Sequence, residues 1–206
     1  MYRKSIQTKD KIIRAMIELI DTKNTGEITL RDVAKATGIG IGLVNYHFGT
    51  KENLIDIAVD TFISETTSNG EASLDAFQLA PVDKLKISIK GYADFLTVHP
   101  KISRLSIMKA MMNESSDKAS EHGIKYYIPI LKEIFRDKDE KDLCIILHQL
   151  VSTIQMTFLR SGEMKDLIDI DFFNEVQRES LVEKLVNNLI NGSSPQPACG
   201  KEDEKQ

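Results

Sequence analysis

Thr29-Leu30-Arg31-Asp32-Val33-Ala34-Lys35-Ala36-Thr37-Gly38-Ile39, followed by Gly40-Ile41-Gly42-Leu43-Val44-Asn45-Tyr46-His47-Phe48-Gly49-Thr50-Lys51, is the stretch on which the fold turns. Thr29 is a preferred helix N-cap, and Asp32 lies at the N3 position from which a carboxylate can answer the cap. Gly38 suits the left-handed residue that stops a helix. A further short helix is expected from about Gly40 to His47. Thr50 caps the one after it. Two short helices around a glycine-containing turn make the helix-turn-helix pattern. The first braces the second, and the second lies in the DNA major groove with its N-terminal residues toward base edges. On length alone the pattern is weak, because any three-helix core shares it.

Outward from this stretch, hydrophobic spacing is helical almost throughout, and no period-2 segment competes with it. Upstream, Thr8 can cap a first helix in which Ile13, Ile17 and Ile20 repeat on one face, widened by Ile12, Met16 and Leu19. Asn24-Thr25-Gly26 ends it. Downstream, Leu54, Ile57, Ala58, Thr61 and Phe62 form the apolar face of a helix expected to stop at Asn69-Gly70, with a loop over 67–80. A helix follows Pro81 and breaks at His99-Pro100, since the residue before proline is driven out of the α region. Others are expected over about 101–113, 118–136 (with Pro129 kinking or restarting it), 139–162 and 171–190. Ser115, Ser116 and Asp117 read as punctuation. Residues 191–206 are rich in Gly, Ser, Pro and charge and read as a disordered tail. The reading is an all-α chain of about nine helices: a helix-turn-helix domain over 1–58, a larger helical domain over 59–190, then the tail.

The chain has 206 residues and a formal charge of −4. That charge is unevenly placed. Residues 1–55 hold nine Lys/Arg against six Asp/Glu, and the remainder holds 18 against 25. A cationic N-terminal part on an acidic body fits a phosphate-facing module, although an uneven surface alone would give the same asymmetry. No run of 18 apolar residues occurs, so no membrane span is expected. The start, Met1-Tyr2-Arg3-Lys4-Ser5, lacks the apolar core of a signal peptide, which predicts a cytoplasmic, nucleoid-associated protein. Cys144 and Cys199 give neither a disulfide framework nor a metal spacing. His47, His99, His122 and His148 are scattered, and no HExxH, phosphate-binding glycine loop or Cys-His pairing appears. No enzyme, catalytic residue, metal or cofactor is expected.

Residues 8–58, with the run from Ile28 to Leu54 at their centre, resemble the tetracycline-repressor (TetR) family of bacterial regulators. The order of capped helix, glycine turn, aromatic-His-Phe and capped Lys carries the resemblance. It implies a DNA face. Thr29 would touch phosphate through its hydroxyl or the amides it caps. Arg31 would reach guanine O6 and N7. Ile41, Gly42, Leu43 and Asn45, after Gly40 at the cap, would face bases. Tyr46 and His47 would hold phosphates, and Lys51 would add a cation beside helix N-terminal amides. Ordinary packing remains open at several of these positions. His47 can pack, Lys51 can be a solvated first-turn lysine, and Arg31 can pair with Glu27 or Glu52. Val33, Ala34, Ile39, Val44 and Phe48 read as core.

The sequence also departs from the family. Gly40 replaces a common Ser or Thr, Asn45 a common Tyr, and Gly49 a common polar or basic residue. The base-reading face is therefore nearly uncharged and predicts an A·T-leaning half-site with one G read by Arg31.

The resemblance gives the remainder two tasks, dimerisation and ligand sensing. For a homodimer, Leu143, Leu147, Leu150, Ile154 and Phe158 on the long apolar helix, with Leu181, Leu185 and Leu189 on the last, are the candidates. Burial inside one chain would give the same spacing. For a small apolar or amphipathic effector, Phe62, Phe95, Met108, Met111, Met112, Tyr126, Tyr127, His148, Gln149 and Met156 could line a pocket, though a Met at helical spacing is more often core. The implied function is a repressor that binds a palindromic duplex operator and is released by the effector. The alternatives are a DNA-binding structural or cell-organisation protein of the same fold without a small-molecule switch, and a helical adaptor for protein partners.

Overall fold

The apolar periodicity folds into helices in the computed structural model, which describes residues 2–112 and 118–192. They are α1 (Tyr2–Thr22), α2 (Leu30–Thr37), α3 (Ile41–Phe48), α4 (Lys51–Asp75), α5 (Pro81–Val98), α6 (Pro100–Met112), α7 (Lys118–Ile134), α8 (Glu140–Leu159), α9 (Ser161–Ile168) and α10 (Glu175–Gly192), with a 3-10 turn at Thr25–Glu27. Among the described residues there is no strand, so the all-α reading holds, with ten helices rather than about nine.

Four local readings change. Thr8 lies inside α1, which begins at Tyr2. Asn69-Gly70 does not end α4, which runs to Asp75. There Glu71 meets the α7 residue His122 at 2.7 Å, one of the contacts that hold this stretch against the body. Helix propensity is a weak prior that such tertiary contacts override. The expected helix over 139–162 is two: α8 ends at Leu159 and α9 starts at Ser161. The last helix begins at Glu175, not Asp171. Pro129 sits within α7, which continues through it. Residues 113–117, which include the Ser115-Ser116-Asp117 break, and the tail from 193 lie outside the described residues.

Two apolar clusters form the core. In the first, Ile12, Met16 and Ile20 of α1 meet Ile28, Val33, Val44, Phe48, Leu54, Ala58 and Val59. Each fully buried aliphatic side chain contributes about 1.5–3 kcal/mol relative to exposure. This cluster also takes in Ile102 of α6, while Ile107 of the same helix belongs to the second cluster, in the body. One turn of α6 therefore bridges the two. Lys101 adds a polar tie: its ammonium donates to the carbonyls of Asp21 (3.0 Å) and Lys23 (3.3 Å), at the C-terminal end of α1. The domain boundary expected at 58/59 falls inside the unbroken α4.

The body cluster joins α5, α7, α8 and α10 through Leu85, Ile89, Leu131, Leu143, Ile154, Phe158, Phe172 and Val186. Arg178 of α10 is buried and donates to Asp94 of α5 through Nε (2.8 Å) and to the Phe172 carbonyl (3.0 Å). By length and composition, α8 is the one helix among the described residues long and apolar enough to cross a membrane. Its inner face is core of the helical body.

The residues proposed for dimerisation separate here. Leu143, Leu147, Leu150, Ile154 and Phe158 are buried in the chain's own core. Leu181, Leu185 and Leu189 are partly buried against the same cluster. The five α8 side chains bury their surface within the chain, whereas the three α10 leucines are covered only in part. The outer side of α8 carries Ile145, His148, Gln149, Thr153 and Met156 instead.

Candidate nucleic-acid interface

A reciprocal cap fixes the start of α2. The Asp32 N–H donates to Thr29 Oγ1 (3.2 Å), and the Thr29 N–H donates back to Asp32 Oδ2 (2.8 Å). Lys23, beyond the end of α1, adds an ion pair to Asp32 at 3.0 Å. The Thr29 hydroxyl first, then Lys23, hold the Asp32 carboxyl down at about 2. Gly38 ends α2 at φ +68°, a left-handed conformation glycine adopts without steric cost. Thr37, buried beneath the turn, donates its hydroxyl to the Val33 carbonyl at 2.8 Å and accepts from the Ile39 amide. Sequence reasoning missed Thr37. Its signal was a hydroxyl in the last turn before a glycine stop.

Gly40 then caps α3 without a side-chain hydrogen bond. Val44 and Phe48 turn inward and are buried. Ile41 (40% exposed), Leu43 (43%) and Tyr46 (81%) turn outward, with Gly42 and Asn45 on the same side. His47 is half-buried and packs edge-on between Tyr46 and Phe48, at 5.2 and 6.2 Å between ring centroids. Packing and phosphate contact are both consistent with that position. Thr50 caps α4 by accepting from the Asn53 amide (3.1 Å), and the Asn53 side chain donates to the Phe48 carbonyl (2.8 Å). Asn53, also missed, thus locks the α3–α4 corner.

Thr29, Arg31, Gly40, Ile41, Gly42, Leu43, Asn45 and Tyr46 are therefore all exposed around α2 and α3, as a DNA-reading surface requires. Arg31 makes no ion pair among the described residues, neither with Glu27 nor with Glu52. Lys51 is different. Its ammonium donates to the Thr25 carbonyl at 3.3 Å and has Glu52 at 4.0 Å, so it braces the turn that precedes α2.

The ten pocket residues do not converge. Phe62 and Phe95 pack with His99 where α4 meets the α5–α6 corner, the Phe62–His99 centroids lying 4.8 Å apart. Tyr126 and Tyr127 stack edge-on at 5.1 Å, and burial pushes the Tyr127 phenol up. Met108, Met111, Met112, His148, Gln149 and Met156 are exposed. They were read as lining because methionine and aromatic residues suit pockets, but the helix faces that carry them look outward. A cleft of about 340 Å³ does open beside Tyr126, lined by Phe77, Pro81, Lys84, Lys125, Pro129 and Glu133 among others. Sequence reasoning named only Tyr126 of that lining: its α7 neighbours Lys125, Pro129 and Glu133 are polar or proline, and the facing wall comes from α5 and from a segment read as loop.

Residues 12–57 match the family described as bacterial regulatory proteins, tetR family. No curated protein matches the chain in sequence. Among solved structures, the fold is similar to FadR of Thermus thermophilus, a TetR-family repressor in complex with lauroyl-CoA. The TM-score is 0.66 at 17% identity, over 93% of this chain and 98% of that one. It is also similar to the transcriptional regulator FadR of Bacillus subtilis in complex with stearoyl-CoA (TM-score 0.65, 15% identity, 88% and 97% covered). A TetR-like transcriptional regulator from Rhodococcus sp. RHA1 gives a TM-score of 0.60 at 16% identity, over 89% and 95%. At such identities the likeness establishes the fold, and the match at 12–57 establishes the reading head. The chain carries the N-terminal domain of the tetR family of bacterial regulatory proteins on a body with the fold of that family's regulators.

Proposed function

We propose that the chain is a sequence-specific DNA-binding transcriptional regulator that grips a palindromic duplex operator as a homodimer. One observation carries this. The outward side chains of α3 are left exposed although three of them are large and apolar, while Val44 and Phe48 behind them are buried. Such a face has work to do outside the protomer. In this reading Thr29 and Tyr46 contact phosphates, Arg31 reaches a guanine, and Ile41, Gly42, Leu43 and Asn45 meet base edges. Lys51 contributes charge as well as its brace, and His47 orients Tyr46 or meets phosphate.

The test is selection from a random duplex library with the full chain, followed by anisotropy titrations across salt. The expected result is paired half-sites about 34–36 Å apart and affinity that falls steeply with salt. No salt-dependent binding to any duplex overturns the reading.

For the body, we propose that a small apolar or amphipathic ligand weakens operator binding, which makes the chain a repressor. Support comes from the unbroken α4, which joins the reading head to the body, and from the two structural relatives solved with acyl-CoA. By linkage, a ligand that disfavours the DNA-competent spacing lowers operator affinity by the factor that operator lowers its own. Lauroyl-CoA titrated into the operator complex is the first trial. Unchanged affinity at saturation removes that class. The second reading, a DNA-binding organiser with no switch, is favoured by one fact: six of the ten proposed pocket residues face solvent.

A further inference from the structure

We infer that this protein recognises its operator chiefly through thymine methyl groups. Ile41 and Leu43 act as the specificity-determining side chains, and Gly42 is the point of closest backbone approach. The inference rests on the DNA-binding reading above and names what that surface reads.

The argument begins with angular placement. Successive helix residues step by about 100°. On α3 this puts Gly42 near the middle of the exposed arc, with Ile41 and Asn45 on one flank and Leu43 and Tyr46 on the other; Val44 and Phe48 occupy the buried side. The face has a notch at its centre and aliphatic shoulders. The fold does not impose the notch: a Cβ built on Gly42 meets no atom within 4 Å, and its backbone needs no positive φ. The fold does not use the full shoulders either, since Ile41 and Leu43 keep about two fifths of their surface exposed.

Next comes chemical complementarity. Guanine is read by a bidentate Arg or Lys, and cytosine by an acidic acceptor. α3 contains no Lys, Arg, Asp or Glu. With Tyr46 and His47 assigned to the phosphates, what it offers the bases is two aliphatic side chains and one amide, Asn45. The apolar group on the major-groove edge of a base pair is the thymine C5-methyl, and the partner for an amide is adenine. Ile41 and Leu43 stand about 200° apart on the helix, and the bare glycine backbone between them lets the helix sit deep enough for each to reach a methyl on its own side of the groove. The cationic reader, Arg31, stands outside α3 on the bracing helix, which limits guanine reading to the margin of each half-site.

The experiment uses the full chain and the duplex obtained by selection. Each thymine of that duplex is replaced in turn by deoxyuridine, which deletes the methyl and keeps the base pairing. Loss of about fourfold in affinity is expected at each contacted thymine, the value of one buried methyl-sized group. In Ile41→Ala or Leu43→Ala the penalty at the paired thymine disappears, while penalties elsewhere persist. Gly42→Ala melts like the parent but loses preference for the selected duplex. Deoxyuridine tolerated at every position overturns the inference, as does the same penalty pattern in both alanine variants. G·C-rich selected half-sites overturn it too. All three outcomes leave the DNA-binding reading standing. Failure to bind any duplex at low salt removes that reading itself and this inference with it.

Discussion

The reading head and the body were built from the same kind of helix, yet they yield their chemistry differently. Every proposed DNA-contacting residue lies within 23 positions of chain, from Thr29 to Lys51, and eight of the ten are exposed around two adjacent helices. The proposed effector residues span Phe62 to Met156, and they divide between an aromatic corner, a tyrosine pair and open surface. A site made from two short adjacent helices is fixed once their caps and the turn between them are fixed. A site between helices depends on how each helix is rotated about its axis, which a run of apolar residues leaves open.

That contrast can be broken by substitutions that should act on one region and spare the other. The largest effect is expected from Arg178→Ala. It leaves the Phe172 carbonyl without its donor and Asp94 with only the more distant Lys90 at 4.0 Å, and losing the buried partner of such a pair costs about 3 kcal/mol, the low end of its range because Asp94 is a third exposed. Thermal melting should register this, while operator affinity of the folded protein stays unchanged; a parallel fall in affinity would dissolve the distinction between the regions. Arg31→Ala should do the reverse. It should cost about 1–3 kcal/mol of operator binding and relax preference at one base pair, with an unaltered melting temperature. Lys51→Ala should show in both readouts. The log–log salt slope should shallow by about 1 if a phosphate contact is lost, and stability should fall by about 1 kcal/mol for the hydrogen bond to Thr25.

Two smaller effects sharpen the comparison. Asp32 is held at about 2 in the folded chain against 3.8 ordinarily. Its folded value is depressed, so its contribution is full above the unfolded value and disappears as pH falls from about 4 through 2. Acid melts of Asp32→Asn should therefore lose part of the parent's pH dependence in that window. Finally, Ser103 has a buried hydroxyl with no hydrogen-bond partner among the described residues. Ser103→Ala should melt at or slightly above the parent temperature, because it removes a desolvated polar group. A clear drop would reveal a partner.

Most of the fold was legible from spacing, and the boundaries it misplaced share a cause. Asn69-Gly70 is turn chemistry in isolation, yet α4 continues through it against α7. Gly162 looked like the end of one long helix, whereas the chain turns at Arg160 and closes α9 on Asp169 at φ +55°. In the reading head, caps and glycine stops act within a few residues, so sequence reasoning located them. Arg178 meets Asp94 across 84 positions, and Lys101 meets Asp21 across 80. No local pattern announces such pairs. The same limit explains Leu143 and its heptad-like companions, whose spacing predicted burial but not the partner.

The contacts of Lys101 and Ile102 have a practical meaning for protein engineering. A reading head cut at residue 58 would leave behind the isoleucine that completes its core and the lysine that closes the carbonyl end of its first helix. Grafting this head onto another regulator, or another head onto this body, is not the exchange of a cassette. A successful chimera must carry the first two turns of α6 with it, or supply a recipient helix with an aliphatic residue and a cation at those two places.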